Sequence, residues 1–140
     1  MDVTRSSFTH FISDTVVPLL TRGPVTYRSV YATAVEGDAE AAAKAIPVGD
    51  TQARMLLLAG SDDQMWDSAA MAEAIRAARP EGTAVRVFDG AGHVWGGGPV
   101  IDAGDMRINV GGTVEANAQV AEKGSALILE QLEAWHGTGY

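Results

Sequence analysis

The chain has 140 residues, 46% of them hydrophobic and 20% charged, which suits one domain with a modest core and excludes a disordered segment. A net charge of −8 without any basic cluster argues against nucleic acid or an anionic membrane surface as a partner. Cysteine is absent, which removes disulfides and thiolate metal sites and fits a cytoplasmic protein.

Residues 1–45 are the hardest part to assign. The stretch 1–20 has no compact apolar core behind a basic flank, so no signal peptide is expected. Breakers at Pro18, Gly23 and Pro24 divide the segment, and 25–31 alternates with β-forming residues, as a strand or an extended loop would. The Ala-rich run 36–45 predicts a short helix that ends near Ile46-Pro47, because a residue before proline resists helical dihedrals.

From residue 46 to 140 the pattern is α/β. Residues 54–59 predict a strand, and the continuous apolar run Met55-Leu56-Leu57-Leu58 suits a parallel strand covered on both faces. Gly60 to Trp66 is the loop at its C-terminal end. Ser68 is a candidate cap for a helix over 68–79, with Met71, Ile75 and Ala78 on one face, stopped by Pro80 and Gly82. Residues 84–88 form a second strand, and strand–helix–strand of these lengths predicts a parallel pair. The glycine-rich stretch 96–112 reads as one long loop. Thr113 can cap a last helix over 114–135, with Val120, Leu127 or Ile128, Leu132 and Trp135 as its apolar stripe and Gly137 as its end. Gly124 weakens this helix by about 1 kcal/mol relative to Ala. No apolar run approaches the roughly 18 residues of a membrane span.

The chemistry lies in two loops. One strand ends in Gly60-Ser61-Asp62-Asp63 and the next in Asp89-Gly90-Ala91-Gly92-His93. Strand then acid, strand then histidine, is the order of the last two members of a Ser/Cys–Asp–His triad in an α/β-hydrolase. A carboxylate in such a pair fixes the imidazole tautomer and stabilises the imidazolium that forms during acyl transfer. Asp63 is the better acid, with Asp62 tying the turn together through its side chain. His10 and His136 lie near the ends without such context, and Asp62, Asp63, Asp67 and His93 match no strong metal motif. Gly96-Gly97-Gly98 precedes no helix. Gly111-Gly112-Thr113 does, and reads as a turn plus N-cap before it reads as an anion site. Trp66 and Trp95 flank the two loops and read as packing first.

Taken in series, Ile46-Pro47-Val48, then Leu56 to Ser68, then Ala91-Gly92-His93, then Gly111-Gly112-Thr113-Val114-Glu115-Ala116-Asn117-Ala118 resemble the C-terminal region of the acyl-CoA thioesterase and bile acid-CoA:amino acid N-acyltransferase family. The resemblance runs from about residue 46 to the end and is looser before it. It implies the C-terminal part of an α/β-hydrolase fold, with Asp63 as catalytic acid and His93 as catalytic base in acyl-thioester chemistry. It implies a CoA thioester as substrate, with no resident cofactor and no metal. The chain departs from the family at three places. No Gly-x-Ser-x-Gly or Gly-x-Cys-x-Gly elbow occurs, and Ser61 and Ser125 stand in other contexts. The loop after His93 reads Val94-Trp95-Gly96-Gly97-Gly98-Pro99, and the last helix carries Lys123-Gly124-Ser125.

Three functions compete on these grounds. The chain supplies the acid and base of a thioester hydrolase or amino-acid acyltransferase, with the nucleophile in a missing N-terminal half. Alternatively it is a non-catalytic α/β module that needs a partner, either that half or a self-associated copy, to cover its sheet. The third reading is a related esterase-type serine hydrolase.

Overall fold

The computed structural model describes residues 8–137. A π-helical turn, Ile12–Val16, runs into helix α1, Val17–Thr21; Pro18 has no N–H to donate back along this continuous helix, and the Asp14 carbonyl accepts instead from Thr26 N at 2.8 Å. A left-handed Arg22 (φ 58°) ends this helix, and the two-residue strand β1, Pro24–Val25, follows. Helix α2 occupies Arg28–Gly37, and a single further turn, α3, Ala41–Lys44.

Of the stretch 25–31, expected as a strand or an extended loop, only Val25 is strand and helix begins at Arg28, while the expected helix over 36–45 is split into the end of α2 at Gly37 and the turn Ala41–Lys44. Tertiary contact overrides the β-rich composition. The backbone N–H groups of Tyr27 and Arg28 donate to the Gln64 carbonyl, and Thr33, the buried residue of α2, returns its hydroxyl to Ser29 O at 2.7 Å.

Strands β2, Met55–Gly60, and β3, Thr83–Phe88, pair in parallel from Met55↔Thr83 to Gly60↔Phe88, with helix α4, Ser68–Ala78, between them in sequence. Asp67, not Ser68, caps α4: its carboxylate accepts from Ala70 N at 3.2 Å. Ser68 is the first helical residue and sends its hydroxyl to Gly60 O. The expected apolar face of α4 is also shifted. Ala72 is buried and Ile75 half-buried, whereas Met71 and Ala78 are exposed.

The glycine-rich stretch 96–112 is not one loop. It contains an antiparallel hairpin of β4, Val100–Ala103, and β5, Met106–Asn109, and β5 also pairs in parallel with β1. Gly104, at φ 67°, takes the first place of a two-residue connection, where a positive φ matches the twist of the paired strands. Helix α5, Val114–His136, closes the fold. The Thr113 hydroxyl accepts from Ala116 N at its start and Gly137 (φ 80°) ends it. Gly124, a weak helix former, is buried against the Trp95 ring, where a Cβ would make ordinary contact at 3.4 Å.

The core lies where these pieces meet. Val25, Ala59, Ala91, Val110 and Val120 are buried, whereas Met55, Leu56, Leu57 and Leu58 are only half-buried. Among the described residues β2 pairs with β3 alone, so the run that predicts a covered central strand has one unpaired edge. No helix among the described residues is long and apolar enough to cross a membrane.

Candidate active site

Three loops converge beyond the C-terminal ends of β2 and β3: 61–67, 89–97 and 110–113. They pack backbone against backbone. Asp62 N donates to Ala91 O, His93 N to Val110 O at 2.7 Å, and Asp63 forms an isolated bridge with Gly111. Gly92 and Gly111 make this approach possible. A Cβ on Gly92 would overlap the Gly111 carbonyl, and one on Gly111, which sits at φ 77°, would overlap the Asp62 carbonyl.

Asp63 and His93 are brought together. Nδ1 of His93 lies 2.9 Å from Oδ2 of Asp63. A carboxylate can only accept, so Nδ1 carries the proton and Nε2 presents a lone pair in the neutral ring. The other oxygen of Asp63, Oδ1, accepts from Met65 N at 2.8 Å and from Trp66 N at 3.3 Å, a local turn that fixes the carboxylate plane. Asp63 is 2% exposed. Its neighbour Asp62 is committed elsewhere, to Gln64 Nε2 at 2.7 Å and Gly112 N at 2.9 Å, and so ties the acid loop to the turn before α5.

The imidazole is partly exposed and faces a cavity of about 590 Å³ lined by Leu58, Ser68, Trp66, Val94 and Trp95 beside the pair itself. Trp66 meets the imidazole edge-on, with ring centroids 4.4 Å apart. It both packs against His93 and lines the cavity. Trp95 lines the same cavity, packs on Phe88 at 5.9 Å between ring centroids and donates its indole N–H to Gly92 O.

The remaining sequence candidates do not join the pair. His10 lies beside Asp14 at 3.4 Å, and His136 is exposed in the last turn of α5. Asp14 is held below the usual carboxylate range, chiefly by the Ser29 hydroxyl and secondarily by Ser13 and His10. Asp67 serves as the cap of α4. Among the described residues no group of three or more His, Asp or Glu side chains converges as a metal site would require. The amides of Gly111 and Gly112 are taken by Asn109, Pro99 and Asp62, which leaves a turn and an N-cap and no open anion cradle.

Asn117 escapes a reading of the sequence for chemistry. It is completely buried in α5, and every polar atom it directs at the loops is used. Oδ1 accepts from Gly92 N at 2.8 Å, and Nδ2 donates to Gly97 O at 3.0 Å and Gly111 O at 3.3 Å. Its own carbonyl accepts from Gly96 N. One amide therefore fastens both sides of the histidine loop to the turn that touches Asp63. The only local signal is a polar residue on the buried face of a helix, at the end of the Gly-Gly-Thr-x-x-Ala-Asn segment.

A protein-family model described as "BAAT / Acyl-CoA thioester hydrolase C terminal" matches residues 11–123. The match takes in most of the segment before residue 46 as well as both loops of the acid–histidine pair. No curated protein matches the chain.

Proposed function

The chain belongs to the BAAT/acyl-CoA thioester hydrolase C-terminal family, and from that premise we propose that it carries the acid and base of an acyl-CoA thioester site. Asp63 is the acid and His93 the base, set on the C-terminal part of an α/β-hydrolase fold. A Ser or Cys on an elbow outside these 140 residues is the nucleophile. The observation that carries the proposal is the 2.9 Å bond between His93 Nδ1 and the buried carboxylate of Asp63. It leaves Nε2 as the basic nitrogen of a ring that lines the cavity.

In this mechanism Nε2 takes the proton of the nucleophile as it attacks the thioester carbonyl. The C–S bond breaks, the acyl group stays on the nucleophile, and Nε2 returns the proton to the departing CoA sulfur. Water or an amino-acid amine then gives a proton to Nε2 and attacks the acyl-enzyme. Collapse restores the nucleophile with its proton and releases an acid or an amide. Asp63 keeps the tautomer and stabilises the imidazolium at each stage. CoA enters as part of the substrate, and no resident cofactor is required.

The test joins this chain to its nucleophile-bearing region and follows CoA release from acyl-CoA, with and without an amine acceptor. Replacing His93 by Ala, or Asp63 by Asn, is expected to lower kcat by about 10⁴-fold. Rates unchanged by His93→Ala would rule the assignment out. Faster turnover of simple esters than of acyl-CoA would move it to the esterase-type reading.

A second reading has an observation of its own. Val114, Ile128, Leu129 and Leu132 of α5 and Leu19 and Leu20 of α1 are exposed, and in the β2–β3 sheet each strand has one unpaired edge among the described residues. Such surfaces favour a module that functions only when more protein covers it. Sedimentation of the isolated chain decides: a monomer with cooperative unfolding counts against an obligatory partner.

A further inference from the structure

Arg28 opens α2, in the segment that supplies neither member of the acid–histidine pair. Its guanidinium nevertheless reaches the acid loop at three points. Nη1 donates to Asp63 O at 3.1 Å and to Ser61 O at 3.4 Å, and Nη2 lies 3.1 Å from Oδ2 of Asp67. The backbone N–H of the same residue donates to Gln64 O at 3.0 Å, beside that of Tyr27 at 3.3 Å. These acceptors mark the beginning, the middle and the end of the loop 61–67. Asp67 passes the restraint on, because its other oxygen caps α4.

The pattern differs from an ordinary surface ion pair. Arg28 is only 30% exposed at its side chain, and two of its three guanidinium acceptors are main-chain carbonyls. One of those carbonyls belongs to Asp63 itself. Turning that peptide would swing the carboxylate away from His93 and break its bonds to Met65 N and Trp66 N. The planar fork of arginine can serve several acceptors in fixed directions, whereas a lysine ammonium is a single point charge on a flexible stem.

We propose that Arg28 is a positioning residue, which clamps the loop 61–67 from the N-terminal segment and so holds the Asp63 carboxylate against Nδ1 of His93. The proposal rests on the assignment of Asp63 and His93 as acid and base, and it gives the N-terminal segment a role in that site.

The experiment uses the 140-residue chain and proton NMR of the imidazole Nδ1–H, whose low-field signal reports a hydrogen bond to a carboxylate. The signal is identified by its loss in His93→Gln and in Asp63→Asn. Arg28→Ala and Arg28→Lys are expected to abolish it or move it upfield while the amide shifts of β2 and β3 stay in place. Arg28→Lys keeps charge and stem, and so remains informative if Arg28→Ala fails to fold. An unmoved signal in a folded Arg28 variant overturns the proposal and leaves a merely stabilising contact. Absence of the signal in the unsubstituted chain overturns it too. In the assembly with the nucleophile, Arg28→Lys is expected to lower kcat about 10- to 100-fold at unchanged KM, the scale of a small misplacement of a catalytic group. A signal that responds to Arg28, in an assembly whose turnover ignores His93, would retain the clamp and discard the acid–base assignment.

Discussion

The loops around Asp63 and the strands that carry them are buried to different degrees, although they are contiguous in the chain. Where the loops meet, Ala91, Val110 and Asp63, with Asn117 of α5, are all 2% exposed or less, although Trp66 and Val94 face outward, while the leucines of β2 remain half-buried and Leu129 of α5 is 63% exposed. The loops are closed by hydrogen bonds from within the chain. The sheet relies on apolar faces, and these are only partly covered. A site can thus be locally complete in its polar contacts on a scaffold whose hydrophobic surface is not, because hydrogen bonds are satisfied pair by pair while apolar burial needs whole layers.

Several measurements can break or sharpen that contrast. The largest effect is expected at the pair itself, the about 10⁴-fold loss of kcat on substitution of His93 or Asp63 in the assembled protein. Next comes Asn117→Leu, which strands the Gly92 amide and two carbonyls in a buried place. A loss of about 3 kcal/mol is expected in denaturant unfolding. A loss below about 0.5 kcal/mol would mean that the loops do not depend on their internal hydrogen bonds. Leu57→Ala is expected to cost about 1–1.5 kcal/mol in the isolated chain, below the usual range for a buried leucine. A cost of about 3 kcal/mol in the isolated chain would show the strand to be better covered than its exposure indicates. Leu129→Ser is expected to change stability by less than about 0.5 kcal/mol while weakening any assembly that uses this face.

The smallest effect concerns acid. The folded-state pKa of Asp14 is lowered, so its contribution to stability is present above about 3.8 and is lost as pH falls below that value toward the folded pKa. Ser29→Ala removes the main cause and is expected to flatten the pH dependence of Tm in that window only.

Much of the scaffold was legible locally. The apolar run of β2, the β-formers of β3, the Thr113 cap and the Gly137 stop all act through neighbouring residues. Asp63 was separable from Asp62 by its place in the turn. The hairpin β4–β5 was hidden by its glycines, although Gly104-Asp105 between two strand-like runs is itself a hairpin signal. The helix at Arg28 was concealed by Val25, Tyr27, Val30 and Tyr31, whose β preference yields to the contacts α2 makes with Gln64. Nothing local marks Trp66 as more than a packing residue, because its edge contact with His93 depends on how loops from two strands fold over each other.

The amino-acid sequence by itself determined the α/β order and the parallel pair, because periodicity, caps and strand ends are set by residues close in the chain. Only the tertiary structure decided that Asn117 and Arg28 hold the two loops, that 100–109 is a hairpin and that the leucine strand is half-covered. Each of these depends on groups from distant segments. Their free energy comes from pairing buried polar atoms and excluding water, and neither happens until the chain has closed on itself.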